Sequence, residues 1–462
     1  MQSNIVWSLA KFTIDHPLYD LAATQAASLQ EEFSPQTCSN LIWSFACIRK
    51  DIPNDLLSSI FLKLPASFEQ WAPQNLANIV WGLAVLNQGH SIAADLVSRV
   101  NREIFSRLAS PNTSKAFTSQ NLSNYFWALG LQNGSMEHCR QFEGIFLSRI
   151  HEFLPQEIAS ICVTCARLDY FSSIMMDKIA EIVVSNIKQF EGQNMSNVVW
   201  SCGKLRYLNI KLFTSISLAA EAKLATFSSQ DISNILWAYA VLTFEVDLFH
   251  DLFVEEIIHR ISAGEQVNPS QISNIIWALS ISNRMDEATW DALIQYIPFD
   301  SLDTAKVEIC SQIFQSHLIL RARNGSKVFA EIPGHAHVAC EETWKTVTKK
   351  VTVSDFHLKV SQTLDTMGEK HVVEYLTEDE YFSIDIAFPL EKIAMEIDGP
   401  KHFTRANDPL GDTRARDDLL RARGWHVVSI PYFAWALDTE TQKRLLEHAL
   451  GSVRGKVISK DK

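Results

Sequence analysis

Apolar residues recur at helical spacing through the first two-thirds of the chain, and a polar–aromatic stripe rides on the same helices. Between Phe227 and Ala240, Ile232, Ile235, Leu236 and Tyr239 form one apolar face. Gln230, Asn234 and Trp237 fall at i, i+4 and i+7 and make a second stripe. Ser228 is placed to cap this helix, and Asp231 sits in its first turn, where a carboxylate favours the helix N-terminus. A second amphipathic stretch follows through Leu252, Phe253, Ile257 and Ile261. The pattern predicts a helix–turn–helix unit with one face for its partner helix and one for a neighbouring unit.

The asparagine–tryptophan pair recurs as Asn4/Trp7, Asn40/Trp43, Asn78/Trp81, Asn124/Trp127, Asn197/Trp200, Asn234/Trp237 and Asn274/Trp277. Steps run from roughly 35 to 46 residues, and the double-length gap between Trp127 and Trp200 predicts a degenerate copy. Phe153–Val163 supplies it, with Ser160 and Val163 in the signature places. A period in this range predicts an α-solenoid of about eight helix-turn-helix repeats over residues 1–300. The asparagines are expected to bond backbone in the adjacent unit and the tryptophans to be buried between repeats.

The periodicity stops after Trp290. Asp303–Arg323 reads as a capping helix and Asn324–Val338, with Gly325, Pro333 and Gly334, as linker, both within 301–350. A helix over Val353–Met367 leads to strand patterns at His371–Tyr375, Phe382–Phe388, Lys392–Ile397 and His426–Ile430. Helices are expected at Asp412–Arg423 and Thr439–Leu450. This mixture predicts a small α/β domain over 351–452, with 453–462 as a tail.

Composition narrows the function. The chain has 462 residues and a net charge of −12, most of it before residue 300, which argues against a uniformly basic nucleic-acid binder. No window approaches a membrane span. The eight cysteines are scattered and read as reduced thiols. Cys162 and Cys165 read as core packing, and His335, His337 and Cys340 as a polar interdomain loop lacking a fourth metal ligand. Met1 opens inside a repeat helix, so earlier repeats and a transit peptide are expected upstream.

The densest polar constellation lies in the α/β domain. Asp385 is flanked by apolar residues on one strand, and Glu396 and Asp398 sit two apart on the next, facing the same side. Three such carboxylates suit Mg²⁺ or Mn²⁺, with Lys401 and His402 near a phosphate. Arg405, Arg414, Arg416, Arg421 and Arg423 add positive charge, and Phe403, Trp425, Tyr432 and Trp435 offer stacking faces. The alternative is a carboxylate cluster that orders the Gly399–Phe403 turn and pairs with the arginines.

The run from Phe33 through Ser34, Pro35, Gln36, Ser39, Asn40 and Trp43 to Ala46 resembles the octotricopeptide repeat, a family of helical-pair RNA-binding solenoids of mitochondria and chloroplasts. The C-terminal segment 351–450, above all Glu396 to Phe403, resembles the RAP domain of organellar RNA-metabolism proteins, including the FAST kinase family. RAP domains are similar in layout to restriction-endonuclease-like PD-(D/E)xK nucleases. In that layout Asp385 is the first metal carboxylate and Glu396 the acidic residue of the second strand, while Asp398 stands where the nucleases carry lysine. The resemblance implies selective binding of single-stranded organellar mRNA or rRNA, in processing, stability or rRNA maturation, with no cofactor. Lys401, His402, Phe403, Arg405, Arg414, Arg421, Arg423 and Trp435 are the expected RNA contacts. Two other readings stay open: a Mg²⁺- or Mn²⁺-dependent endoribonuclease using Asp385, Glu396 and Asp398, and a scaffold for ribosome or ribonucleoprotein assembly.

Overall fold

A computed structural model describes residues 2–28, 34–63, 68, 71–86, 91–132, 134–245, 247–301, 306–324, 331–350, 353–436 and 438–460. Met1, Phe33, Asp303, Gly325 and Val351, which enter the sequence reading, lie outside the described residues. The chain divides into two compact units between Phe190 and Glu191.

The first unit is a series of helix pairs: α1 (Gln2–Lys11) with α2 (Leu18–Ser28), α3 (Pro35–Cys47) with α4 (Asn54–Lys63), and α5 (Pro73–Leu86) with α6 (Ser91–Ala109). After the short α7 (Pro111–Ser114) come α8 (Ser119–Leu131) with α9 (Met136–Arg149), and α10 (Pro155–Arg167) with α11 (Ser173–Ser185). First helices stack on first helices and second on second. The degenerate copy is α10, whose Glu157 accepts from the Leu154 N–H at 2.9 Å.

The second unit continues with α12 (Gly192–Leu205) and α13 (Ile210–Ala222), α14 (Ser229–Val241) and α15 (Asp247–Ser262), and α16 (Pro269–Ile281) and α17 (Glu287–Ile294). Helix α18 (Lys306–Asn324) stacks on α16 as a further first helix, and α19 (Gly334–Thr348) is its partner. The structure thus differs from the expected linker, because Gly334–Val338 is the first turn of a helix that packs on α18. At α14 the cap is as predicted: the Asp231 carboxylate accepts from Ser228 N at 2.9 Å, and the Ser228 hydroxyl accepts from Asp231 N at 3.2 Å.

Neighbouring repeats are joined by side chains one period apart. Asn40 donates to Asn4 Oδ1 at 3.3 Å, Gln271 to Gln230 Oε1 at 2.8 Å, and Gln312 to Asn274 Oδ1 at 2.6 Å. These bonds join side chain to side chain; the serine before the asparagine reaches the backbone instead, Ser196 to Asp231 O at 3.3 Å and Ser233 to Gln271 O at 3.2 Å. The tryptophans also differ from expectation. Trp277 is buried, but Trp7, Trp43, Trp81, Trp127, Trp200 and Trp237 are half-buried. The i+7 position lies at the border of the helix–helix contact, so each ring packs one face on a neighbour and keeps an edge in water. Ring centroids of Trp7, Trp43 and Trp81 follow one another at 6.2 and 6.4 Å.

The C-terminal domain comprises α20 (Asp355–Thr366), β1 (Val372–Leu376), β2 (Ser383–Phe388), β3 (Ile393–Asp398), α21 (Gly411–Ala422), β4 (His426–Pro431) and α22 (Thr439–Lys460). The sheet order is β1-β2-β3-β4, antiparallel except for the parallel β3/β4 pair, which α21 connects as a crossover. One sheet face, with Ile386, Phe388, Ile393, Met395, Ile397 and Ile430, packs on Val360 and Leu364 of α20 and Leu446 and Leu450 of α22. Helix α21 also packs against α14, α16 and α18 of the same unit. The segment before α21 reaches the end of α12: Arg405 N donates to Arg206 O at 2.8 Å and Arg405 Nε to Leu205 O at 2.9 Å. Arg206 has φ 59°, a left-handed cap that turns its carbonyl out of the helix. Gly411 lies so close to α14 and α16 that a Cβ there would run into the Ala240 carbonyl oxygen and come within 2.9 Å of Ile281 Cγ2. No helix among the described residues is long and apolar enough to cross a membrane.

Candidate functional site

Alternation along β3 sends Ile393, Met395 and Ile397 into the core and Glu396 and Asp398 to the opposite face, toward α21. Both carboxylates are 1% exposed. Arg416 of α21 lies between them, with Nη1 3.1 Å from Glu396 Oε2 and Nη2 3.0 Å from both Asp398 Oδ1 and Asp417 Oδ1. Ser429 of β4 donates to the other Asp398 oxygen. Glu396 Oε1 is buried and has no hydrogen-bond partner. Burial raises the Glu396 pKa well above the usual carboxyl range; the Arg416 charge opposes this, and the charges of Asp385, Asp398 and Asp417 add to it. Burial works against the charged form of Arg416, but Glu396, Asp398 and Asp417 outweigh it and raise its pKa. Burial likewise raises the Asp417 pKa, against the charge and hydrogen bond of Arg416, so one cation serves several carboxyls.

Asp385 is placed differently. Pairing of β2 with β3 runs from Phe388↔Ile393 to Ile386↔Met395 and stops, and Asp385 Oδ2 then accepts from Ile397 N at 2.7 Å, replacing a ladder bond. The same oxygen lies 3.4 Å from His357 Nε2 on α20, and His357 Nδ1 lies 3.2 Å from Glu374 Oε1 on β1. Burial disfavours the imidazolium, yet the hydrogen bond and charge of Asp385, then those of Glu374, prevail and raise the His357 pKa above 6.5. His357, Glu374 and Asp385 each offer a ligand atom, all within 4.8 Å of one another. The two ring nitrogens face different carboxylates, which is the geometry of a bridging imidazolium. Of the three carboxylates named from the sequence, the structure therefore brings Glu396 and Asp398 together on Arg416 and gives Asp385 to His357.

The parallel strands end side by side at Asp398 and Pro431. Beyond them lie exposed Lys401 and half-exposed His402, whose Nδ1 is 3.6 Å from Asp398 Oδ1. Phe403 is buried, 5.1 Å from the Phe433 ring, while Tyr432 and Phe433 are 38% and 47% exposed. The carboxyl ends of parallel strands are where open α/β sheets hold ligands.

The remaining expected contacts are spread out. Arg405 is bonded to the end of α12, and exposed Arg414 lines a cavity of about 190 Å³ between α21 and the ends of α14 and α16. Arg421 pairs with Asp418 at 3.0 Å. Arg423 bonds Asp379 at 2.8 Å and lies over the Phe382 ring at 4.8 Å. Trp435 packs on Phe356 beside the core, and Trp425 is 2% exposed. Sequence reasoning passed over Phe433, although the aromatic run after Pro431 marked it. It also passed over His357 and Glu374, which no local pattern singled out. Cys162 and Cys165 are buried thiols, with Cys162 pushed up to about 12 by burial. His335 and His337 sit on α19, beside Asp300 and Glu341 at 3.2 and 3.7 Å.

Residues 395–447 match the RAP domain family, spanning β3, α21, β4 and the start of α22. A RAP domain-containing chloroplastic protein of rice (Oryza sativa subsp. japonica) is 29% identical over 176 residues, which are 36% of this chain. The match spans 27% of the rice protein's length. The chain is a series of helical repeats that ends in a RAP domain.

Proposed function

We propose that this protein binds single-stranded RNA in an organelle, in processing, stability or rRNA maturation, and that its RAP domain holds RNA without cutting it. The RAP domain and the chloroplastic relative support the setting. The observation that carries the binding reading is the end of the parallel strand pair, where exposed Lys401 and half-exposed His402 follow β3 and exposed Tyr432 and Phe433 follow β4. A cation beside flat rings suits a phosphodiester whose bases stack, and each base–aromatic stack contributes about 1–3 kcal/mol. Against the nuclease reading, Arg416 fills the space between Glu396 and Asp398 with a fixed cation, so a metal there would meet a guanidinium.

Fluorescence anisotropy with a random single-stranded RNA pool at low salt tests this. Tyr432→Ala with Phe433→Ala is expected to weaken binding by roughly 30-fold or more, from the loss of two stacks. RNA incubated with the protein and Mn²⁺ should stay intact. Cleavage by the parent that Glu396→Gln abolishes would establish the nuclease, and absence of binding to any pool would favour the scaffold.

A further inference from the structure

Three side chains of metal-ligating type stand together apart from the β3 carboxylates: His357 of α20, Glu374 of β1 and Asp385 of β2. Each comes from a different element, and one ligand atom of each lies within 4.8 Å of the other two. His357 Nε2 and Asp385 Oδ2 are 3.4 Å apart. Two ligands of one tetrahedral zinc ion stand roughly 3.3–3.5 Å apart, so this pair already has the spacing. Shifts of less than about 1 Å bring all three atoms to the roughly 2.0–2.2 Å that zinc requires. The Glu374 and Asp385 side chains are 16% and 20% exposed, so water can reach the cluster and supply a fourth ligand.

The surroundings hold these groups in place. Asp385 Oδ2 accepts from Ile397 N at 2.7 Å, and Glu374 Oε2 accepts from Ser383 Oγ at 3.1 Å. Each carboxylate is thus oriented by a group outside the cluster, as the outer partners of metal ligands do. Glu374 also breaks the regularity of its strand. Val373↔Ile386 and Tyr375↔Ile384 pair on either side of it, yet its own φ is 53°. A glutamate in the left-handed region is strained, and the strain falls where its carboxylate meets the imidazole. Charge points the same way. Two carboxylates against one imidazolium leave a negative charge over, whereas a divalent ion on neutral His357 balances both. Arg416 is taken up by Glu396, Asp398 and Asp417.

We propose that His357, Glu374 and Asp385 form a zinc site that ties α20 to β1 and β2. The ion takes the place of the imidazolium proton, which passes to solvent. An imidazole ligand suits Zn²⁺ and not Mg²⁺, and Mn²⁺ binds most weakly of the divalent first-row series. The site commits Asp385 to α20, away from Glu396, and it stands whether or not the chain binds RNA.

Hydrogen exchange of the whole chain tests this, after stripping with EDTA and titration with Zn²⁺ buffered by nitrilotriacetate. Zn²⁺ should slow exchange in peptides of α20, β1 and β2 about tenfold once the free ion is about ten times Kd, because binding lowers the open fraction by 1 + [L]/Kd. Mg²⁺ and Mn²⁺ at the same free concentration should leave exchange unchanged. Glu374→Gln and His357→Gln should each abolish the protection, while Glu378→Gln, at an exposed carboxylate just after β1, should respond as the parent does. Glu374→Gln keeps the His357–Asp385 pair, so it carries the test even if His357→Gln unfolds. A parent whose α20, β1 and β2 exchange ignores Zn²⁺ overturns the site. So does protection that survives in Glu374→Gln, which would place the ion on other histidines or cysteines, or equal protection by Mg²⁺, which would remove the imidazole from the argument.

Discussion

Replacing Arg416 with methionine removes the guanidinium that bridges Glu396 and Asp398 while keeping most of its aliphatic length. The two carboxylates are 1% exposed, so water cannot take over the role of the cation. Breaking a buried pair by deleting one partner costs about 3–5 kcal/mol, because the other charge is left uncompensated. The parent already shows the strain of this arrangement, since Glu396 Oε1 is buried without a partner and burial raises the carboxyl's pKa. Urea unfolding followed by hydrogen exchange of peptides from β3, α21 and β4 reads the domain directly, where fluorescence would average 12 tryptophans. With a slope of about 3 kcal/mol per molar urea, the midpoint should fall by roughly 1–1.7 M. Adding Glu396→Gln and Asp398→Asn to Arg416→Met should recover most of the loss, as replacing a whole buried ionic group by neutral groups often does. Mg²⁺ or Mn²⁺ should leave the parent's midpoint where it is. An unchanged midpoint in Arg416→Met, or a parent stabilised by either cation by more than about 1 kcal/mol, would refute the claim that arginine holds this place.

Two further outcomes follow from neighbouring contacts. Gly411→Ala would gain up to about 1 kcal/mol in a free helix, but against the Ala240 carbonyl overpacking should cost about 1–3 kcal/mol and speed proteolysis of the Arg405–Gly411 segment; a gain would show that α21 does not rest on α14. His357 titrates above 6.5 when folded, so its contribution is fully present below pH 6.5 and is lost as pH rises through the higher folded-state value. The parent's urea midpoint should therefore fall on that alkaline side and His357→Gln should flatten the profile; an equal fall in the variant would assign the titration to another group.

The fold was legible where local chemistry repeats. A capped first turn, an apolar face and a tryptophan at constant spacing located the helical pairs, and even the degenerate α10 kept Pro155 and Glu157 at its start. The strands of the C-terminal domain were legible from alternation, to within a residue or two of β1 to β4. The partial exposure of the tryptophans was not, because spacing places a residue on a helix face but not on the border between contact and water. Nor was the partner of each carboxylate. Glu396 and Asp398 were bound to share a face, but that Arg416 would reach both depends on how the crossover helix lies on the sheet. Asp385 went to His357 because β2 and β3 part after three residue pairs, a register detail that alternation cannot express.

The arginines show why composition misjudged both halves of the chain. Of the five in the C-terminal cluster, Arg416 neutralises buried carboxylates, Arg423 and Arg421 pair with Asp379 and Asp418, and Arg405 bonds the carbonyls that end α12. Helix C-termini carry partial negative charge, so a guanidinium there fastens the domain to the repeats. Basic residues concentrated in the RAP domain are thus largely engaged within the protein. Lys11, Arg167 and Lys204 on the first helices are exposed and lie over tryptophan rings. A cation is available to a ligand according to what surrounds it, so neither net charge nor the count of arginines says where this chain presents positive charge.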